Sequence, residues 1–430
     1  MRLDVTERQT RAASRAGMRR WLSLHLPTPT PRSQAQRSLP WRPLLLQATA
    51  AWFATRVAYL ALTIFFPLVT GSVASADAIS RAPVSLPSLL RGWTVWDGGW
   101  YIAIAQRGYW QVEPTAFFPL YPITIRVVET LIGPHWATAA LIASNLSALL
   151  GFCGIALLAA QVAPLGQERD IAKIAVLLFG AYPLAFFLFA AYSDGLFAGL
   201  AAFTLLFAFR RRWGWAALFG FLTALCRPTA PALILPIAWE ALQRYRERHA
   251  EVPMRQALVE TAPALAACAS PLAGIAAYSA WLWMRFGNPL IFINAESTWR
   301  HMPLSPILSV PLSIYAFAHI STGSAMQARV LLDLAPILVG IALTLVAARR
   351  APLAFTLYLA ALLYLITSEP LNYIDVFVSG GRYMIAAIPL FVIMAGWLKR
   401  SEWALYMLCY SGAFVQAILA IFFLRHGWMT

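Results

Sequence analysis

The chain has few charged residues and few cysteines for its 430-residue length. Only 12% of its residues are Asp, Glu, Lys or Arg, whereas 60% are hydrophobic and the mean hydropathy is +0.65. This balance excludes an ordinary soluble enzyme and is typical of a polytopic membrane protein. The four cysteines lie inside apolar runs without a Cys-x-x-Cys pair, so the sequence predicts neither a disulfide framework nor a zinc site.

Acidic residues are scarcer than basic ones, with 18 Asp and Glu against 33 Lys and Arg. The resulting net charge of +15 does not indicate nucleic acid binding, because the basic residues form short clusters between apolar runs rather than one stripe. Clusters in those places are expected at the cytoplasmic ends of membrane spans. The near absence of lysine is explained by genomic base composition.

The chain divides into a polar tail and a membrane domain. Residues 1–42 are rich in Arg, Ser, Thr and Pro, which predicts a disordered basic tail in the cytoplasm. Residues 43–430 contain recurrent apolar runs of about 17 to 25 residues, each long enough to cross a bilayer. They predict an all-α, polytopic transmembrane helical bundle of about eleven spans. The predicted spans are Leu44–Phe66, Ala137–Ala163, Ile171–Ala190, Ser193–Phe209, Trp213–Cys226, Pro228–Leu242, Leu258–Trp283, Ala328–Ala348, Leu353–Thr367, Tyr383–Leu398 and Trp403–Leu424.

A large loop, residues 67–135, separates the first two predicted spans. The basic tail keeps the N-terminus in the cytoplasm, so this loop is expected on the extracytoplasmic side. Two helices lying in the membrane interface are predicted within it, the second at Ile123–Leu131. The face of the first is marked by residues at three- and four-residue steps, namely Trp93, Trp96, Trp100, Ile104 and Gly108.

Asp97 is the first candidate for chemistry in this loop. It lies between Trp96 and Trp100, close to Tyr101, and these aromatic residues are candidates for substrate binding. The alternative role of Asp97 is an N-terminal cap of the helix that follows, since Asp favours that position and two glycines come next. One carboxylate can fill both roles if capping fixes its orientation while its free oxygen faces a substrate.

A second polar group is predicted at the next outer turn, where Tyr192, Ser193 and Asp194 interrupt an apolar segment. An ionisable side chain is costly there unless it is paired or functional. The group is therefore a candidate for a substrate pocket, with a helix cap formed by Ser193 and Asp194 as the alternative.

Arg227 occupies an outer turn where the positive-inside rule does not place basic residues. A bound anion such as a lipid phosphate explains it, because a guanidinium binds phosphate through two hydrogen bonds. The alternatives are an ion pair with Asp97 or Asp194, or snorkelling to a lipid headgroup. Arg382 also opens a span from the outer side and is a candidate second cation of the same site.

The segment 286–303 combines amide, charged and aromatic side chains, which is the composition of many sugar sites. An ordinary polar loop is the alternative. Its candidate residues are Asn288, Asn294, Glu296, Trp299, Arg300 and His301.

Six segments in order carry a resemblance to a known family. They read WDGGWYIAIAQRGY, FFPLYP, AYSDGLF, RPTAP, GNPLIFINAESTWRH and SGGRYMIAAIPL. Together they resemble the PIG-V-type mannosyltransferases, which are similar to the second mannosyltransferase of GPI-anchor synthesis and belong to the C-type glycosyltransferase (GT-C) superfamily. Where eukaryotic members commonly have Ser-Glu, this chain has Ser193 and Asp194.

The resemblance implies a GT-C fold and transfer of mannose from a polyprenyl-phosphate-mannose donor to a lipid-linked or other glycan acceptor. Asp97 takes the place of the acidic residue at the catalytic centre, and is expected to act as general base in one inverting displacement that forms an α-mannoside. The departing phosphate is expected to bind Arg227 and Arg382, with Arg300 and His301 behind them. No metal or other cofactor is predicted.

The same resemblance implies a multi-pass membrane protein with its active site on the extracytoplasmic face. The Arg-rich composition favours the bacterial plasma membrane. Membrane lipids are the other expected partners, and nucleic acid is not one. The alternatives are a flippase or transporter of a lipid-linked sugar, and a GT-C transferase that uses another polyprenyl-linked sugar. A transporter favours polar residues on both sides of the midplane, whereas here they concentrate on one.

Overall fold

The computed structural model describes residues 37–69, 86–296, 304–368 and 373–426, and every regular element in these ranges is a helix. The all-α class predicted from the sequence is therefore confirmed. Most of the predicted tail, residues 1–36, lies outside the described residues. Arg37, at its end, forms an ion pair with Glu168.

The α-helices are numbered here in chain order. They are α1 Trp41–Val69, α2 Leu86–Leu90, α3 Asp97–Arg107, α4 Leu120–Ile132, α5 Trp136–Val162, α6 Glu168–Gly180, α7 Asp194–Phe209, α8 Trp213–Ala224, α9 Ile234–His249, α10 Met254–Phe286, α11 Ile291–Glu296, α12 Pro306–His319, α13 Ala325–Ala347, α14 Leu353–Thr367, α15 Gly380–Tyr383, α16 Ile388–Leu398 and α17 Glu402–Leu424. Short 3₁₀ turns lie at Arg91–Thr94, Glu113–Ala116, Ala185–Leu188, Ala230–Leu233 and Met384–Ala386.

Five of the described helices, α1, α5, α10, α13 and α17, are long and apolar enough to cross a membrane. A sixth span results if α15 and α16, bent by 75° at a short break, are counted as one. These spans fit a membrane-embedded protein, but the predicted number of about eleven is not confirmed. The shorter apolar helix α7, at 16 residues, reaches about 24 Å, less than the roughly 30 Å of bilayer hydrocarbon.

Close packing of α5 against α7 forms the centre of the bundle. A Cβ atom on Gly195 would lie 2.8 Å from the backbone nitrogen of Ala148, and one on Gly199 would lie 2.9 Å from that of Gly151. The hydrophobic effect does not drive apolar helices together in lipid. Small residues spaced four apart allow the two backbones to approach closely, and van der Waals packing then stabilises the helix pair. This contact fixes the first turn of α7, which begins at Asp194.

Polar side chains occupy both ends of the bundle. One end has the ion pairs of the basic connectors, and the other has the candidate site residues. Beyond the C-terminal end of α7, Arg211 forms two hydrogen bonds of 2.7 and 2.6 Å with Glu247. Lys399, which follows the last residue of α16, pairs at 2.9 Å with Asp170 in the first turn of α6. Asp194 lies at the opposite end of α7, among the candidate site residues. The basic connectors and the candidate site therefore lie at opposite ends of this helix.

The two short helices predicted in the first loop are present as α3 and α4, and their position in a membrane interface stays a prediction. The predicted face of the first helix is wrong at its start. Trp93 belongs to a separate 3₁₀ turn, because Trp96 has a positive φ of 58° that ends helical continuity. Trp93 is buried against Tyr59, Phe189 and Phe423.

The contact between α5 and α7 can be tested at Gly199. A Gly199→Ala substitution places a methyl group against the backbone at Gly151, so we expect it to destabilise the fold by about 1–3 kcal/mol through overpacking. Thermal unfolding of the detergent-purified protein measures the effect. Gly214→Ala is the control, since nothing lies within 4 Å of a Cβ at this helical glycine. Equal unfolding midpoints for the two variants would contradict the proposed close contact.

Candidate functional site

A cavity of about 550 Å³ lies at the end of the bundle where α7 begins. Its walls come from widely separated stretches: α3 and the loop after it, the turn after α8, the end of α14 and the turn that leads into α15. The lining residues are Trp96, Asp97, Trp100, Tyr101, Ala116, Phe117, Phe118, Cys226, Arg227, Pro228, Thr229, Glu296, Leu365, Ile366, Val378, Ser379, Arg382 and Tyr383.

Asp97 is the first residue of α3, and its side chain is 21% exposed. Its Oδ2 atom accepts a 2.7 Å hydrogen bond from Nη1 of Arg382, at a separation of 285 residues in the chain. The cap position belongs to Trp96, which makes no side-chain capping bond. The alternative prediction, that Asp97 caps the helix, is therefore wrong, because the cap lies one residue earlier.

Arg382 lies in the first turn of the bent segment formed by α15 and α16. Its guanidinium carbon lies 5.2 to 5.3 Å from the ring centroids of Phe187, Tyr192 and Tyr383, a distance suited to cation–π contact. The side chain is only 8% exposed. Its Nε atom is buried and has no hydrogen-bond partner among the described residues.

Arg227 forms the second ion pair of the site. Its Nη2 atom lies 2.8 Å from Oδ2 of Asp194, and its Nε donates a 3.1 Å hydrogen bond to Oγ of Ser193. That hydroxyl lies 2.8 Å from the hydroxyl of Tyr101. Burial raises the pKa of Tyr101 above its ordinary value, so its phenol stays protonated at neutral pH. Of the alternatives for Arg227, the ion pair with Asp194 is the one that the structure contains.

The two ion pairs differ in exposure. The Asp194 side chain is fully buried, whereas that of Arg227 reaches the cavity wall at 11% exposure. Tyr383 connects the pairs, because its ring lies 5.7 Å from the guanidinium of Arg227 and 5.2 Å from that of Arg382. The two arginines thus share one aromatic neighbour at the same cavity.

Aromatic side chains form one wall of the cavity. Trp100 stacks between Trp110 and Phe117, with ring centroids 6.1 and 5.8 Å apart and interplanar angles of 9° and 17°. Trp110 remains 39% exposed. Stacked, partly exposed rings of this kind can pack against the apolar face of a sugar.

The structure separates the residues predicted for substrate binding into three groups. Trp96, Trp100, Tyr101 and Glu296 line the cavity together with Asp97, Arg227 and Arg382. Tyr192 and Asp194 are buried behind the arginines rather than lining the cavity. Asn288 is also outside the lining, because its Oδ1 accepts a hydrogen bond from the Leu290 amide in the turn before α11. Trp299, Arg300 and His301 lie outside the described residues.

Trp110, Phe117, Ser379 and Tyr383 were missed by sequence reasoning as site residues. The segments FFPLYP and SGGRY contain three of them, Phe117, Ser379 and Tyr383, so position within a motif is the signal that was available. The described residues contain no cluster of three or more His, Cys, Asp or Glu arranged to hold a metal ion. The absence of a cofactor stays a prediction.

The classification of the chain rests on its match to a known family. The family model described as "Mannosyltransferase (PIG-V)" matches residues 55–319, which is more than half of the chain. The chain belongs to the PIG-V mannosyltransferase family. The match includes Asp97, Asp194 and Arg227, whereas Arg382 lies beyond it. No curated relative and no solved structure matches the chain. This PIG-V family member is a membrane mannosyltransferase by its family and its apolar helices.

The difference in burial between the two ion pairs predicts different losses of stability. Arg227→Leu leaves the carboxylate of Asp194 buried without its ionic partner, so we expect a cost of about 3–5 kcal/mol. Arg382→Leu leaves Asp97 in contact with the cavity, so a smaller cost is expected. Thermal unfolding of the purified variants compares them. Greater destabilisation by Arg382→Leu would contradict the assignment of the Asp194 pair as the structural one.

Proposed function

We propose that this protein transfers mannose from a polyprenyl-phosphate-mannose donor to the hydroxyl of a lipid-linked or other glycan acceptor. The observation that carries the proposal is one cavity lined by two carboxylates, those of Asp97 and Glu296, two guanidinium groups and stacked aromatic rings. A glycosyl phosphate presents the matching chemistry: an anion for the arginines, an apolar sugar face for the rings and an anomeric carbon for attack. Membership of the PIG-V mannosyltransferase family indicates that the transferred sugar is mannose.

Asp97 acts as general base in the proposed reaction. Its carboxylate is exposed to the cavity, whereas that of Asp194 is fully buried. The acceptor hydroxyl attacks the anomeric carbon and gives its proton to Asp97, while the bond between that carbon and the phosphate oxygen breaks. The leaving phosphate keeps the electron pair of that bond. A single displacement inverts the anomeric centre, so a β-linked donor gives an α-mannoside.

Arg227 and Arg382 bind the donor phosphate and stabilise the charge that develops on it as it leaves. Both arginines line the cavity, and the fork geometry of a guanidinium suits the oxygens of a phosphate. Phosphate bound to Arg382 competes with Asp97 for that cation. Donor binding therefore loosens the Asp97 carboxylate from Arg382 and makes it available to the acceptor.

The cavity faces the extracytoplasmic side in this proposal. Support comes from the basic connectors around Arg211 and Lys399, which lie at the other end of the bundle, since basic clusters favour the cytoplasmic side. The Arg-rich composition supports the plasma membrane of a bacterium. Polyprenyl-phosphate sugars are then available at the face where the cavity opens.

Asp97→Asn tests the base. Asn keeps the shape of Asp but cannot accept a proton at neutral pH, so we expect transfer to fall at least ~100-fold. The assay follows radiolabelled mannose from synthetic polyprenyl-phosphate mannose into membrane lipid and protein, at equal amounts of folded protein. Glu129→Gln, an acid of the same loop outside the cavity lining, is the control and should retain activity. An active Asp97→Asn variant would remove Asp97 from the chemistry, and an inactive wild type would favour another donor sugar or a flippase.

Arg382→Lys tests the phosphate contact. Lysine keeps the charge next to Asp97 but loses the guanidinium fork, so we expect the KM for the donor to rise about 10-fold, with kcat less affected. Initial rates measured against donor concentration separate the two constants. Arg107→Lys makes the same replacement at the exposed end of the helix that carries Asp97, and should leave both constants unchanged. An unchanged KM in Arg382→Lys would exclude Arg382 from donor binding.

A further inference from the structure

Asp333 is a buried acid outside the cavity lining, in the middle of the span α13. Acidic residues inside a membrane span are costly, and those that persist usually have a defined partner or function. Asp333 interrupts an otherwise apolar run, as Asp194 does. The described residues around it show what it contacts.

One oxygen of Asp333, Oδ1, accepts a 2.9 Å hydrogen bond from the backbone amide of Gly381. The carbonyl of Gly381 in turn accepts a 2.6 Å hydrogen bond from the hydroxyl of Tyr182. Gly381 is therefore fixed from two sides, and the next residue along the chain is Arg382.

The local backbone fits this arrangement closely. A Cβ atom on Gly381 would lie 2.4 Å from the carbonyl oxygen of Leu332, the neighbour of Asp333. Pro336 lies four residues after Leu332 and has no amide hydrogen to donate to that carbonyl. Ser379 has a positive φ of 66°, a conformation that non-glycine residues adopt rarely and that surrounding contacts must maintain.

Charged groups next to Asp333 belong to one further pair. Arg329, one helical turn earlier on α13, lies 2.7 Å from Asp375.

Tyr182 also has a hydrogen-bond partner of its own. The side-chain amide of Gln416 on α17 donates a 2.7 Å hydrogen bond to the Tyr182 carbonyl. The support of Gly381 thus reaches two long helices of the bundle.

We propose that Asp333 is a positioning residue, which sets the backbone before Arg382 so that its guanidinium meets Asp97 and the donor phosphate. It acts through Arg382 and does not touch substrate. The part of this role that concerns the donor phosphate rests on the proposed function. The hydrogen bond to Gly381 is the part of the role that can be measured without any substrate.

Two substitutions separate the hydrogen bond from the charge. Asp333→Ala removes the acceptor of the Gly381 amide, whereas Asp333→Asn keeps an acceptor oxygen. We expect Asp333→Ala to raise the KM for polyprenyl-phosphate mannose about 10-fold with a smaller change in kcat, because small displacements of binding groups are costly. Asp333→Asn should stay within about 3-fold of wild type, since a neutral oxygen still accepts the bond.

A double mutant distinguishes positioning from general support of the fold. If Asp333 acts through Arg382, Asp333→Ala adds less than about 2-fold to the KM of the Arg382→Lys protein, because coupled residues are not additive. A full further increase in the double mutant would overturn the proposal. A wild-type KM in folded Asp333→Ala protein would overturn it as well.

Hydrogen exchange of the substrate-free protein tests the contact independently of the reaction. Peptides that cover residues 379–386 should exchange faster in Asp333→Ala than in wild type or Asp333→Asn, with exchange of α5 unchanged. Equal exchange in all three proteins would overturn the proposal even if no donor is known. Wild-type protein that fails to transfer mannose would instead count against the proposed function and leave this result standing.

Discussion

Charge placed in an apolar environment has to be paired, and two Arg–Asp pairs in this protein follow from that constraint. A buried ion that loses its partner is strongly destabilising, so the segments that carry Asp97, Asp194, Arg227 and Arg382 have to meet in the folded chain. They come from the first loop, the start of α7, the turn after α8 and the bent segment near the C-terminus. The cavity forms where these segments meet.

The two pairs differ in how open they are to a ligand. The pair between Asp194 and Arg227 is supported from within, because the start of α7 is fixed against α5 and Ser193 adds a hydrogen bond to the cation. The pair between Asp97 and Arg382 opens to the cavity, so its partners are able to exchange one another for a ligand. The first pair is suited to holding the geometry of the site, and the second is suited to responding to a ligand.

Helix positions were largely accessible from the sequence, because long apolar runs have few alternatives in a bilayer. The run predicted at Leu353–Thr367 coincides with α14, and that at Trp403–Leu424 differs from α17 by one residue. The number of spans was less accessible, since hydropathy does not show where a run breaks. The predicted span Ile171–Ala190 contains the end of α6 at Gly180 and a 3₁₀ turn.

The candidate site was predictable in part. Ionisable residues are rare in this chain, so Asp97, Arg227 and Arg382 were conspicuous, and all three line the cavity. Which arginine pairs with which aspartate was not predictable, because the pairing depends on how distant helices pack. Trp110 was missed because one aromatic residue in an aromatic loop carries no local signal, whereas Asp333, a lone acid in an apolar run, carried the same signal as Asp194 and was also missed.

The charges buried near the C-terminal half also bear on how the chain enters the membrane. Arg382 opens a segment that gains its counterion, Asp97, from a loop made 285 residues earlier, and an unpaired arginine opposes membrane insertion of the span that follows it. Asp333 carries a similar cost but lies in the most apolar of the five long helices. The ion pair between Asp97 and Arg382 can form only after the segment that carries Arg382 has been made. The cavity is therefore completed late in synthesis, since one of its walls comes with Ser379, Arg382 and Tyr383.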